Sequence, residues 1–279
     1  MNSANQTFSL KDGIKLKTAH YTTNHAIANL IFLHGYTEHI GRYDWMFQTL
    51  NKSNINVFTY DHRGFGMSEG ERGYINNFQQ YVDDLNQYLQ RLNKPELPTF
   101  LMGHSMGSLI GAHYLAGRFD HGFAGFISSA GAFKIDENIS PFLRKISGIV
   151  ARITPHLRTV SLNANALSRD PLEVVKYLTD PKVYHGGTKA RLGHEMLEAM
   201  KAIQLSCYKI TLPVLLLHGT EDKLADPLGS RMMYDKVKSE DKTLRLFPGL
   251  YHELMREPEK EEVMTAICDW INIKSKRDL

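Results

Sequence analysis

Cysteine is nearly missing from this chain of 279 residues; the two present are Cys207 and Cys268. So sparse a pair is neither a disulfide framework nor a metal-site spacing, and it points to a reducing compartment. No apolar run approaches the roughly 18 residues of a membrane-spanning helix. The opening stretch MNSANQTFSLKDG is polar and lacks the apolar centre of a secretory signal. The expectation is a soluble, cytoplasmic protein that can still touch a membrane surface. Charge of one sign is lacking too: 33 Lys and Arg stand against 30 Asp and Glu, a net charge of +3. The basic cluster KSKR near the C-terminus is too short for a nucleic-acid face and reads as a tail, so no nucleic-acid partner is expected. Internal repeats and low-complexity tracts are absent.

What is present is a globular composition, 42% hydrophobic and 23% charged, in a chain long enough to bury a large core. Apolar runs end repeatedly at glycine or turn residues. They are NLIFLHG (29–35), INVFTYDHRGFGMS (55–68), PTFLMGHS (98–105), GFAGFISSAG (122–131), PVLLLHGTED (213–222) and KTLRLFPGLYH (242–252). They are continuous rather than alternating, as in strands covered on both faces. Helical patterns lie between them. FQQYVDDLNQYLQRL (78–92) sets Phe78, Tyr81, Val82, Leu85, Tyr88, Leu89 and Leu92 at helical spacing, and GSRMMYDKVKS and EEVMTAICDWI behave similarly. Strand and helix in alternation predict an α/β fold with a mostly parallel, doubly wound sheet.

The rhythm breaks between about Ala132 and Lys209, where only helical patterns appear. PFLRKISGIVARI (141–153) puts Phe142, Ile146, Ile149, Val150 and Ile153 on one stripe with Arg144, Lys145 and Arg152 off it. RLGHEMLEAMKAIQLSC (191–207) does the same with Leu192, Met196, Met200, Ile203 and Cys207. The predicted organisation is a core of 1–131 and 210–279 with a helical cap inserted at 132–209. Insertions at strand ends often cover active sites.

Gly103-His104-Ser105-Met106-Gly107 stands where a strand turns into a helix. A G-x-S-x-G match arises by chance in roughly one chain in ten of this length, so its placement carries the argument. A nucleophile elbow requires this strand–turn–helix context, with glycines where side chains would block a sharp turn. No phosphate-loop pattern competes.

A serine hydroxyl needs a base, and the base needs an orienting acid. In this architecture the order is Ser, then Asp or Glu, then His. The fifth strand is followed by Glu221, Asp222 and Asp226, the sixth by His252. All lie at the strand ends that must carry the elbow. The candidate triad is therefore Ser105, Asp222 and His252, with Asp226 the alternative acid and otherwise a helix N-cap before Pro227. His34 and His218 precede glycines at strand ends and read as structural; His104 is expected to point away from Ser105. Asp61 is expected to order its own loop. The oxyanion donors expected are the backbone N–H groups of Met106, after the nucleophile, and Tyr36, in HGYTEH.

With these placed, the chain resembles the monoacylglycerol lipase and lysophospholipase group of α/β-hydrolases, the serine aminopeptidase S33 type of domain. The resemblance rests on FLHGYTEHIGRYDWM, YDHRGFGMSEGERGYI, LMGHSMGS, ALSRDPLEVVKYLTDP, LPVLLLHGTEDKLADP and LRLFPGLYHELMRE, in order along nearly the whole chain. It implies an α/β-hydrolase fold with a cap, an acyl-serine intermediate and a lipid-like ester substrate, with no metal or cofactor. Ser105, Asp222 and His252 match the family's triad, and Tyr36 and Met106 its oxyanion positions. Ala225 stands where mammalian monoacylglycerol lipases carry a cysteine, so thiol sensitivity at that loop is not expected. The basic flank of the 141–153 stripe suits transient contact with a membrane or micelle; the other reading is that the stripe packs on the core. The triad by itself equally suits a small-ester esterase, a thioesterase or a peptidase. A non-catalytic scaffold on the same fold would have lost a triad member.

Overall fold

Residues 2–117, 122–135 and 140–276 are described by a computed structural model. The six apolar runs form β3 (Ala28–Leu33), β4 (Ile55–Tyr60), β5 (Thr99–His104), β6 (Gly125–Ser129), β7 (Val214–Gly219) and β8 (Lys242–Phe247), all paired in parallel. Every residue of β3 to β7 is buried. Pleating is the reason. Successive side chains leave a strand on opposite faces, so a sheet covered on both sides needs an apolar residue at nearly every position. Leu30, Phe32, Phe100 and Met102 enter one core, whereas Ile31, Leu33 and Leu101 enter the other.

Two further strands precede these. β1 (Asn2–Ser9) and β2 (Lys15–Thr22) form an antiparallel hairpin, and β2 pairs antiparallel with β4. The sheet order is β1-β2-β4-β3-β5-β6-β7-β8. The apolar-run criterion overlooks this hairpin because it lies at the sheet's end. In β2, Leu16, Thr18 and Ala19 are buried while Lys15 is exposed, so the strand reads as polar.

Helices cover both faces. α1 (Asp44–Lys52) and α8 (Lys260–Ser275) lie on one side, the latter through Val263, Ile267, Trp270 and Ile271. α2 (Gln79–Arg91), α3 (Met106–Gly117) and α7 (Pro227–Lys236) lie on the other. α2 turns Tyr81, Val82, Leu85 and Tyr88 inward, as its spacing predicts.

Between β6 and β7 run α4 (Pro141–Ile153), α5 (Pro171–Thr179) and α6 (Ala190–Ser206), with no strand among the described residues there. α5 starts at Asp170-Pro171-Leu172, as α7 starts at Asp226-Pro227-Leu228. In each the aspartate side chain accepts the leucine N–H and proline takes the first helical position. α6 buries Leu192 and Ile203 against the core. The α4 stripe behaves differently. Ile146 and Val150 are half-buried, but Phe142, Ile149 and Ile153 are 67, 61 and 72% exposed. α4 packs on α6, with Ser147 Oγ 3.0 Å from His194 Nδ1. Among the described residues, no helix is long and apolar enough to cross a membrane.

Because β3 and β5 to β8 run parallel, their carboxyl ends share one edge of the sheet. That edge gathers the segments after Leu33, His104, Ser129, Gly219 and Phe247.

Candidate active site

Ser105 occupies the single residue between β5 and α3 with φ +52°. A side-chain-bearing residue in this left-handed region costs on the order of 1–3 kcal/mol, so its surroundings must hold it there. They do. The Ser105 N–H donates to Ser129 O at 3.0 Å, and its carbonyl accepts from Ser108, Leu109 and Ala132 amides at 3.1, 3.3 and 3.3 Å. The turn is tight enough to demand its glycines. A Cβ on Gly103 would lie 2.3 Å from Ser108 N, and one on Gly107 2.2 Å from Leu33 O. The result is a half-buried serine at the head of a helix.

His252 comes from the loop after β8 and is almost fully buried. Its Nδ1 donates to Asp222 Oδ2 at 2.7 Å. Its ring lies tilted against that of His104, the chain neighbour of Ser105, with centroids 4.8 Å apart and 54° between the planes. Burial disfavours the charged imidazole, but the adjacent Asp222 carboxylate outweighs it and raises the His252 pKa above the ordinary value of 6.5. Burial pushes the Asp222 carboxyl the other way, yet His252 and His218 hold it far below the usual carboxylate range. The other Asp222 oxygen accepts the amides of Leu224 and Ala225 at 2.8 and 3.0 Å.

Asp226 is not part of this cluster. Its Oδ1 caps α7 at the Leu228 amide, 2.9 Å, and its Oδ2 meets Lys134 Nζ at 2.8 Å. Glu221 is exposed. Asp61 orders its loop, accepting the Ile40 and Met67 amides at 2.7 Å each. His34 is buried between Gly35 O, which it contacts through Nδ1 at 2.8 Å, and the His62 amide, which donates to Nε2 at 2.8 Å. Burial drops its pKa to about 3, so it stays neutral. His218 is buried as well, but it contacts Asp222 directly, Nε2 to Oδ2 at 3.0 Å.

The loop after β3 lies against the elbow: a Cβ on Gly35 would sit 3.4 Å from the Ser105 Cβ. Among the described residues, neither the Tyr36 nor the Met106 amide donates to a protein acceptor. As the first residue of α3, Met106 has no intrahelical acceptor. Two such free N–H groups beside a serine suit a developing oxyanion.

The profile of the family described as serine aminopeptidase, S33 matches residues 24–259. The chain belongs to that family. It is 33% identical to a monoacylglycerol lipase of Mycolicibacterium smegmatis, over 87% of either chain. It is 36% identical to the monoglyceride lipase of Homo sapiens, over 88% of this chain and 81% of the relative. The crystal structure of Paleococcus ferrophilus monoacylglycerol lipase superposes with a TM-score of 0.85 at 31% identity, covering 93% of this chain and 99% of that one. The fold is the α/β-hydrolase fold, and the chain is a monoacylglycerol-lipase-like serine ester hydrolase.

Within this S33 domain, the segment around α5 ties the loops after β3 and β8 together. The Thr37 side chain donates to Tyr36 O at 2.6 Å, which leaves Tyr177 OH to donate to Thr37 Oγ1 at 2.7 Å. Thr37 itself is held at φ +67°, and its carbonyl accepts the Tyr184 amide at 2.9 Å. His39 Nε2 meets Asp180 Oδ2 at 2.8 Å. Arg42 joins Glu38 at 2.9 Å and both Glu253 oxygens at 2.8 Å, all buried. The Glu253 amide, next to His252, donates to Leu167 O at 2.8 Å, and Arg256 pairs with Glu173. Sequence reasoning missed Thr37, Tyr177 and the Glu38–Arg42–Glu253 triplet. Glu38 and Arg42 stand in HGYTEHIGRY, but nothing local joins them to residues two hundred positions on.

Proposed function

We propose that Ser105, Asp222 and His252 are the nucleophile, orienting acid and general base of an enzyme that releases a fatty acid from a monoacylglycerol or a similar single-chain lipid ester. The observation that carries this is the buried His252–Asp222 contact at 2.7 Å, with the His252 ring against His104, the chain neighbour of a serine in a left-handed turn. Asp222 keeps the His252 proton on Nδ1, so Nε2 is the free base. His252 Nε2 takes the Ser105 proton as Oγ attacks the ester carbonyl, and the Met106 and Tyr36 amides receive the oxyanion. His252 returns the proton to the departing glycerol oxygen. A water activated by the same nitrogen then cleaves the acyl-serine. The lipid assignment draws on relatives named as monoacylglycerol lipases.

Residues 132–209 act as a cap on a core of 1–131 and 210–279. The outward residues Phe142, Ile149 and Ile153, beside exposed Lys145 and Arg152, make α4 the element that meets a lipid surface transiently. The Arg144 side chain, expected on the same flank, lies outside the described residues.

The test is hydrolysis of a long-chain monoacylglycerol and a short p-nitrophenyl ester by wild type and Ser105→Ala. Turnover of both, lost by several orders of magnitude in the variant, is expected. Undiminished activity in Ser105→Ala would overturn the mechanism, and turnover of the short ester alone would remove the lipid assignment. Neutralising Lys145 and Arg152 is expected to slow micellar hydrolysis more than that of the soluble ester. Equal effects would remove the interfacial role.

A further inference from the structure

We propose that His218, which the mechanism above leaves unused, is a positioning residue that locks the acid of the triad and weakens its pull on the His252 proton. The inference rests on the triad reading. His218 is the penultimate residue of the buried strand β7 and is fully enclosed. Its Nε2 faces two groups at 3.0 Å, Asp222 Oδ2 and Ala225 O. Both only accept, so Nε2 carries the proton. Nδ1 is then the acceptor for Ser230 Oγ–H, 2.7 Å away on α7 and also fully buried. The two acceptors at Nε2 thereby set the tautomer, and the Ser230 hydroxyl on the neighbouring helix donates to the nitrogen left bare.

The consequence falls on Asp222. Its Oδ1 receives two backbone amides, and its Oδ2 receives two imidazoles, His252 and His218. Four donors leave the carboxylate one orientation. They also divide the charge on Oδ2, so a His252 that becomes positive during turnover is held by a carboxylate already partly satisfied. Removing the His218 donor makes Oδ2 more basic toward His252, and the acid limb of activity must move to higher pH. The other groups facing His252 are His104, kept neutral by burial, Glu253, Glu38 and, paired with both glutamates, Arg42. None of them touches His218 among the described residues, so they stay constant when it is changed.

The experiment is the pH profile of kcat and KM for a p-nitrophenyl ester, with melting curves, in wild type, His218→Phe, His218→Gln, Ser230→Ala and Asp222→Asn. His218→Phe is expected to lower kcat roughly tenfold, leave KM near its starting value and shift the acid limb upward. His218→Gln can still donate from its amide nitrogen and is expected to regain most of kcat and the wild-type limb. Ser230→Ala should shift the limb in the same direction as His218→Phe, by less. A folded His218→Phe with wild-type kcat and limb overturns the proposal, as does a His218→Gln no better than His218→Phe, which reduces the site to packing. Should His218→Phe fail to fold, Ser230→Ala decides: a shifted limb supports the proposal and an unshifted one refutes it. Asp222→Asn separates the two readings. If it turns over like wild type, the triad assignment has failed; if it is inactive while the His218 and Ser230 variants are normal, only this inference has.

Discussion

Asp222→Asn tests the site more sharply than removal of the serine, because it changes one atom and almost no volume. Asparagine offers one oxygen and one NH2. With the oxygen at the Oδ1 position, the amides of Leu224 and Ala225 stay satisfied, and the NH2 points at His252 Nδ1, 2.7 Å away, and His218 Nε2, 3.0 Å away. With the group flipped, the NH2 meets two backbone N–H groups instead. A backbone amide cannot change tautomer and an imidazole can, so the first orientation prevails. His252 then moves its proton to Nε2 and accepts through Nδ1, and Ser105 loses its base. A wrong tautomer of this kind costs about 10⁴-fold in kcat in serine hydrolases built on the same logic. That is roughly 5 kcal/mol at about 1.4 kcal/mol per tenfold. The assay is kcat for a p-nitrophenyl ester, with a melting curve to show that the variant is folded. A folded Asp222→Asn within tenfold of wild type would refute the reasoning. Asp226→Asn supplies the contrast. Asparagine also caps helices well, and the half-exposed Lys134 pair contributes little, so activity should stay within about twofold. The opposite pattern would move the acid to Asp226.

Three further outcomes are expected. The base must be neutral to act and its pKa is raised, so kcat/KM should climb with pH through a midpoint above 6.5; a midpoint below that value would contradict the Asp222 pairing. Gly107→Ala sets a Cβ 2.2 Å from Leu33 O, backbone that cannot retreat without moving β3, and should cost about 3 kcal/mol or more by chemical denaturation. Tyr177→Phe removes the donor to Thr37 and should reduce kcat about fivefold, near 1 kcal/mol, with KM little changed. A loss confined to KM would make Tyr177 a substrate contact instead.

Much of this was legible in one dimension, and the reason differs from place to place. The strands β3 to β8 show because a sheet buried on both faces leaves apolar runs. The elbow shows because its glycines stand where Cβ atoms would strike Ser108 and Leu33. The hairpin of β1 and β2 did not show, since β1 is mostly polar and β2, with Lys15 exposed and Lys17 and His20 half-buried, breaks its apolar residues with polar ones. α5 announced itself only in the Asp-Pro-Leu signature that α7 shares. The α4 stripe was visible, but its direction was not. Periodicity says that residues share a face; whether the core or solvent takes that face depends on what the rest of the chain already covers, and α4 leaves Phe142, Ile149 and Ile153 outward.

The sequence by itself determined the parallel α/β sheet and the strand ends that carry the candidate groups, Ser105, His252 and the two acids Asp222 and Asp226. These follow from local rules: pleat, turn sterics and the order in which strands present their ends. Only the tertiary structure decided which acid faces the histidine, that His218 shares Asp222 with His252, and that Tyr177 and Glu253 bind the α5 segment to the loops around Ser105. Those contacts join residues tens to hundreds of positions apart, in directions set by packing, and no spacing along the chain encodes them.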